Sequence, residues 1–216
     1  MILASILQGP EDHPFTMSNN KRLAKSIILQ YLYRGFNMSK KQEFKELCMK
    51  YFDFLEKDYG FSFFKCTVDT GSYKLMFKSN TVGIVLEYEP REFYLFITMC
   101  KLLQGEIPPK VVDISPKTVI NCFDLDDVVS LSSKGSLVPD YTSLAPDEKI
   151  TLDDLFKKQA ENLRKSAHEI LNGDFSLFVE LDRVVKGRAR KFAIQKWGDK
   201  ASQFGWSLEN SETPQH

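Results

Sequence analysis

The sequence predicts an α+β fold, a four-stranded antiparallel meander covered by an N-terminal helix and two C-terminal helices. Three observations carry this. β-Branched and aromatic residues crowd into 61–103, broken only by short turn clusters. Apolar residues recur at helical spacing in 39–59, 151–171 and 174–197. The turns between the strand runs are too short for crossovers, so neighbouring strands must run antiparallel.

Residues 1–38, with Gly9, Pro10 and Pro14, read as an irregular or short-helical extension, and 39–206 as a single α+β domain. Ser39 is the expected N-cap of a helix over 39–59. Its apolar stripe is Phe44, Leu47, Cys48, Tyr51, Phe54 and Leu55, and Gly60 ends it. Strands follow at 61–68, 73–78, 81–89 and 93–103. Gly71, Ser79-Asn80 and Pro90-Arg91 mark the turns between them. Tyr73, Leu75 and Phe77 alternate with Lys74, Met76 and Lys78, the pattern of a strand with one wet face.

The stretch 104–149 reads as a long mixed connection with a short helix after Asp124. Thr151-x-x-Asp154 has the form of a capping box and opens the second long helix, which Asn172-Gly173 ends. A third helix runs from Asp174, with Phe175, Phe178, Leu181, Val185 and Phe192 inward and Gly187 as a point of interruption. Trp197, Phe204 and Trp206 are expected to anchor its end, before a polar tail at 207–216.

Seventeen phenylalanines make the expected core aromatic. The net charge is zero, so bulk electrostatics draws the chain neither to nucleic acid nor to an anionic membrane. Charge is nonetheless uneven. Residues 106–161 carry 11 acidic and 6 basic side chains; 174–206 carry 4 acidic and 7 basic. The cysteines at 48, 66, 100 and 122 show no C-x-x-C spacing and read as core thiols of a reducing compartment. No apolar run is long enough for a membrane span, and 2–7 lacks the features of a signal peptide. A cytoplasmic protein is the expectation.

The chemistry-bearing residues are few. Histidines occur at 13, 168 and 216, and only His168 lies in an expected helix, on its surface. There is no H-E-x-x-H, G-x-x-x-x-G-K-[ST] or G-x-G-x-x-G, so no cofactor and no catalytic residues are assigned. Asp124, Asp126 and Asp127 admit two readings. As oxygen ligands they would suit Mg²⁺; as carboxylates at a helix start they meet free N–H groups and the positive dipole end, which is the preferred reading. Arg183, Lys186, Arg188, Arg190, Lys191 and Lys196, with Trp197 and Trp206 nearby, make a basic, aromatic-tailed helix end. Such a surface suits phosphates and stacked bases, or a protein partner.

Tyr59-Gly60-Phe61, the run from Val82 to Tyr88-Glu89-Pro90-Arg91-Glu92, and Leu171-Asn172-Gly173-Asp174-Phe175 with Arg183 downstream carry a resemblance. Across 39–197 the chain resembles a group of bacterial proteins, some encoded beside toxins as candidate immunity proteins. That resemblance implies a small cytoplasmic protein that acts by binding. The leading expectation is therefore a non-enzymatic protein that occludes a protein partner, using the basic helix with Arg183, Lys186, Arg188, Arg190, Lys191 and Trp197. A nucleic-acid-associated protein using the same helix is the alternative, and a metal-dependent hydrolase using the three aspartates ranks below it. No membrane partner is expected, and the sequence leaves the oligomeric state open.

Overall fold

The structure, a computed structural model, describes residues 40–69, 71–132 and 150–206. The extension expected at 1–38, Ser39 and the tail at 207–216 lie outside the described residues. The chain forms two compact units, 1–43 and 44–216. Of the first, 40–43 are described, as helix with a Lys40–Glu43 ion pair at 3.1 Å.

The second unit is a mixed fold around a five-stranded antiparallel sheet whose strand order follows chain order, β1-β2-β3-β4-β5. Helix α1 covers 44–51 and α2 Phe54–Tyr59. The strands are β1 Ser62–Asp69, β2 Ser72–Lys78, β3 Val82–Glu89, β4 Tyr94–Lys101 and β5 Cys122–Asp124. Helices α3 Leu125–Ser132, α4 Leu152–Ser166, α5 His168–Leu171 and α6 Leu177–Trp197 follow, and a 3₁₀ turn, Gly198–Phe204, closes the described chain. The meander matches expectation; the fifth strand does not figure in it. Three residues are too few for alternation to show, and β5 is identified only by its pairing to Thr98, Met99 and Cys100 of β4.

One face of the sheet is the core. Tyr73, Leu75, Phe77, Ile84, Leu86, Leu95, Ile97, Met99 and Phe123 are buried there. Helices cover it by aromatic contact. Phe44 of α1 meets Tyr73 at 5.8 Å and Phe156 of α4 at 5.8 Å, and Phe156 also meets Tyr88 at 6.0 Å. Phe178 of α6 packs edge-on to Phe123 at 4.7 Å. Burial of each such side chain contributes roughly 1.5–3 kcal/mol.

The helix expected to run unbroken to 59 is broken at Phe52-Asp53. The Leu55 amide bonds back to Phe52 O at 3.0 Å, a tightened turn. The break has a packing consequence. In a straight helix residues 52 and 54 point to different sides, yet Phe52, Phe54 and Leu55 are all buried. Ion pairs then tie the helices together on the surface, Lys50 to Asp153 at 2.8 Å and Arg164 to Asp58 at 3.2 Å. The capping box is present as expected: the Asp154 amide donates to Thr151 Oγ1 at 3.2 Å, and the Thr151 amide to Asp154 Oδ2 at 3.1 Å.

The cysteine expectation is corrected. Cys100 and Cys122 are register partners on β4 and β5, with Cα atoms 4.1 Å apart, and form a disulfide. Cys48 and Cys66 are free thiols. A spacing of 22 residues carries no signal of this pairing without β5. On the outer sheet face beside the disulfide lies Gly83, register partner of Cys100. A Cβ built there would stand 2.5 Å from Ile107 Cγ1 and 3.0 Å from Leu102 Cδ2. The connection after β4 therefore packs directly on the sheet where a side chain is missing. Among the described residues, no helix is long and apolar enough to cross a membrane.

Candidate functional site

The basic helix is α6, 21 residues long and uninterrupted at Gly187. Its entry is held by Asp174, whose Oδ1 accepts from the Ser176 amide at 2.8 Å. That backbone bond keeps the Asp174 carboxyl below its ordinary pKa.

The six site residues are spread around α6 and along its length. At 3.6 residues per turn, Arg183, Lys186 and Arg190 share one side while Arg188 projects away from them. Arg183 pairs with Glu180, and Lys186 with Asp182 at 2.9 Å. Arg188 crosses to Asp127 of α3 at 2.5 Å. Burial raises the Asp127 carboxyl above its ordinary pKa, and the Arg188 guanidinium opposes that rise. Arg183, Lys186 and Arg188 are thus engaged by carboxylates. Lys191 is exposed, and Arg190 is half-buried.

Trp197 stands in a cluster that the expectation does not contain in this form. Phe192, expected inward, is 58% exposed, and Phe204, expected as an anchor, is 50% exposed. Trp197 packs on Phe204 at 4.6 Å between ring centres and on Phe192 at 6.4 Å. The Lys196 ammonium lies 5.0 Å from the Trp197 ring centre and 5.5 Å from that of Phe192. Only Trp206 of the expected anchors is buried, in a small second core with Ala193 and Ala201. That core fixes the helix end and the 3₁₀ turn, so the aromatic patch stands on a packed base. Phe204 reaches the patch from the 3₁₀ turn, where no helical periodicity points to it.

Near the other end of α6 is an open cleft of about 480 Å³. Its walls are 117–121 with Lys101 on one side and Phe175, Phe178, Val179, Asp182 and Lys186 on the other. The Lys101 amide bonds to Asn121 O at 2.8 Å, and the Lys101 ammonium lies 5.3 Å from the Phe175 ring centre. A turn closed by the Thr118 amide on Ser115 O, 3.1 Å, carries Lys117 to the rim. Lys101, Lys117, Lys186 and Asp182 thus line the cleft together with Phe175 and Phe178, and Lys186 and Asp182 pair with each other at 2.9 Å. Lys186 alone of the sequence-assigned site residues lines it.

The three aspartates face three different partners. Asp124 accepts from Thr98 Oγ1 at 2.9 Å and pairs with Lys110 at 2.7 Å, so it is no helix cap. Asp126 accepts from the Tyr94 hydroxyl at 2.9 Å, and Asp127 holds Arg188. Among the described residues no group of acidic, histidine or cysteine side chains is arranged to hold a metal ion. His168 is exposed, with Nδ1 2.8 Å from the Tyr59 hydroxyl and Nε2 3.3 Å from the Asn172 amide nitrogen. It joins α2 to α5. No family model, no curated protein and no solved structure matches the chain.

Proposed function

We propose that this is a non-enzymatic binding protein that engages and occludes a protein partner through the C-terminal end of α6. The observation that carries the reading is the exposed cluster of Phe192, Trp197 and Phe204, with the Lys196 ammonium over two of its rings and the exposed Lys191 and Lys200 near it in the chain. Large aromatic side chains in mutual contact at the surface are the chemistry of interface anchors. The partner's surface is an apolar recess with an acidic rim, which the lysines complement. A nucleic-acid partner fits less well, because Arg183, Lys186 and Arg188 already hold carboxylates. Occlusion of a toxin's working surface is one form this binding takes, in keeping with the sequence resemblance.

Photo-crosslinking from position 197 in the host, with position 112 as an exposed control, tests the reading. One protein captured from 197 and not from 112 is expected. With that protein purified, Trp197→Ala weakens binding by about 2 kcal/mol or more, roughly 30-fold. Equal capture from both positions, or unchanged affinity in the variant, excludes the site.

A further inference from the structure

The opposite edge of the sheet points to a second interaction surface. β1 is an edge strand of eight residues, and every one of them is exposed or half-buried, in contrast to β2, β3 and β4. Phe63, Phe64 and Val68 are exposed along it. Among the described residues β1 pairs only with β2; the Phe63 amide donates to Glu56 Oε1 at 3.3 Å, and past the bulge between Phe63 and Lys65 the other side of the strand presents backbone donors and acceptors over 65–69. A long edge of this kind with apolar side chains is a template for another strand.

The charges on the outer face say which strand fits. Lys74 pairs with Glu87 at 3.1 Å, and Lys78 with Glu106 at 3.3 Å. Lys65 and Asp69, on the same face of β1, have no ion-pair partner among the described residues. They sit four positions apart with Thr67 midway. Two antiparallel copies of β1 centred on Thr67 bring Lys65 opposite the other copy's Asp69, and Asp69 opposite its Lys65. Directly opposed residues of antiparallel strands share a face, so both pairs fall on the outer face. On the core side Cys66 then faces the other copy's Val68. Register partners place these faces: Cys66 opposes Leu75 and Val68 opposes Tyr73, both buried core residues.

We propose that β1 pairs antiparallel with β1 of a second copy of this chain, about a two-fold axis at Thr67, so that one sheet runs through both copies. The self-complementary order of basic then acidic residue selects a second copy over an unrelated strand. This surface is independent of the α6 patch, and neither reading requires the other.

Sedimentation over a concentration series tests it. A dimer is expected, weakened at least about tenfold by Lys65→Asp or by Asp69→Lys alone, because like charges then stand opposed at two symmetric positions. The double variant Lys65→Asp/Asp69→Lys recovers the dimer. In a Cys66→Ser background, Thr67→Cys crosslinks two copies under mild oxidation, since position 67 faces itself. Unchanged circular dichroism in each variant shows that the exposed substitutions leave the fold intact. A chain that stays monomeric to sub-millimolar concentration, or a dimer indifferent to the charge reversals, overturns the proposal.

Discussion

Two glycines in regular structure have opposite roles, and the difference lies in what surrounds them. Gly83 has no room, with Ile107 Cγ1 2.5 Å from the place of a Cβ. Gly187 has nothing within 4 Å and sits inside a continuous helix. Gly83→Ala is expected to cost about 1–3 kcal/mol by overpacking. Gly187→Ala is expected to add about 0.5–1 kcal/mol through helix propensity. Urea unfolding of the pair reads the two signs directly. Asp127 adds a pH dependence. Its carboxyl, raised by burial, binds a proton more tightly folded than unfolded. Its contribution to stability is therefore fully present below the unfolded pKa and lost as pH rises through the folded one. Unfolding free energies measured from about pH 3 to 6 should show the wild type losing ground to Asp127→Asn as pH rises. A difference that grows in favour of the wild type would mean that the Arg188 ion pair outweighs burial.

At the scale of elements, much of the chain was legible in advance. The meander, the body of α6 and the Thr151–Asp154 capping box follow from residue type and spacing alone, because local rules decide them; the helix expected unbroken over 151–171 instead divides into α4 and α5 at Ala167, which leaves helical geometry (φ −116°, ψ 18°), and α6 begins at Leu177 rather than Asp174. What escaped the sequence depends on distant partners. β5 exists because β4 offers it an edge, and the disulfide exists because β5 places Cys122 opposite Cys100. The break at Phe52-Asp53 serves two phenylalanines that a straight helix would separate. The candidate site was half legible. The basic helix was evident, but the ion pairs that occupy Arg183, Lys186 and Arg188 depend on how α3 and α6 face each other, or on which neighbours lie one turn away. Spacing on α6 points Phe192 to the core, whereas the small Ala193 takes the inward place. The disulfide makes a prediction at this scale. It closes a loop of sequence separation 22, so Cys122→Ser should cost about 3 kcal/mol under oxidising conditions. With excess reductant the loss should shrink to the small difference between a thiol and a hydroxyl. Thermal melts with and without reductant separate the two.

Across the whole molecule, one sheet separates three surfaces with different chemistry. The β1 edge carries alternating charge and exposed aromatics. The outer face carries internally paired lysines and glutamates. The far side, where α6 packs beside β5, carries the cleft and the aromatic patch. The core face is covered by α1, α4 and α6, which pack on it with Phe44, Phe156 and Phe178.

The strand order also sets how the molecule assembles in time. Every strand from β1 to β4 pairs with its neighbour in the chain, across connections of a few residues. Only β5 must return across a longer link. Low sequence separation makes for fast closure, so the β2–β3–β4 hairpins are expected in the folding transition state and the β5 contact after it. Ile84→Val, costing about 0.5–1.5 kcal/mol, should then slow folding. Phe123→Leu in β5 should leave the folding rate nearly unchanged and speed unfolding. Read as chevron arms, the two substitutions place the order of sheet assembly on a clock that the chain's own connectivity sets.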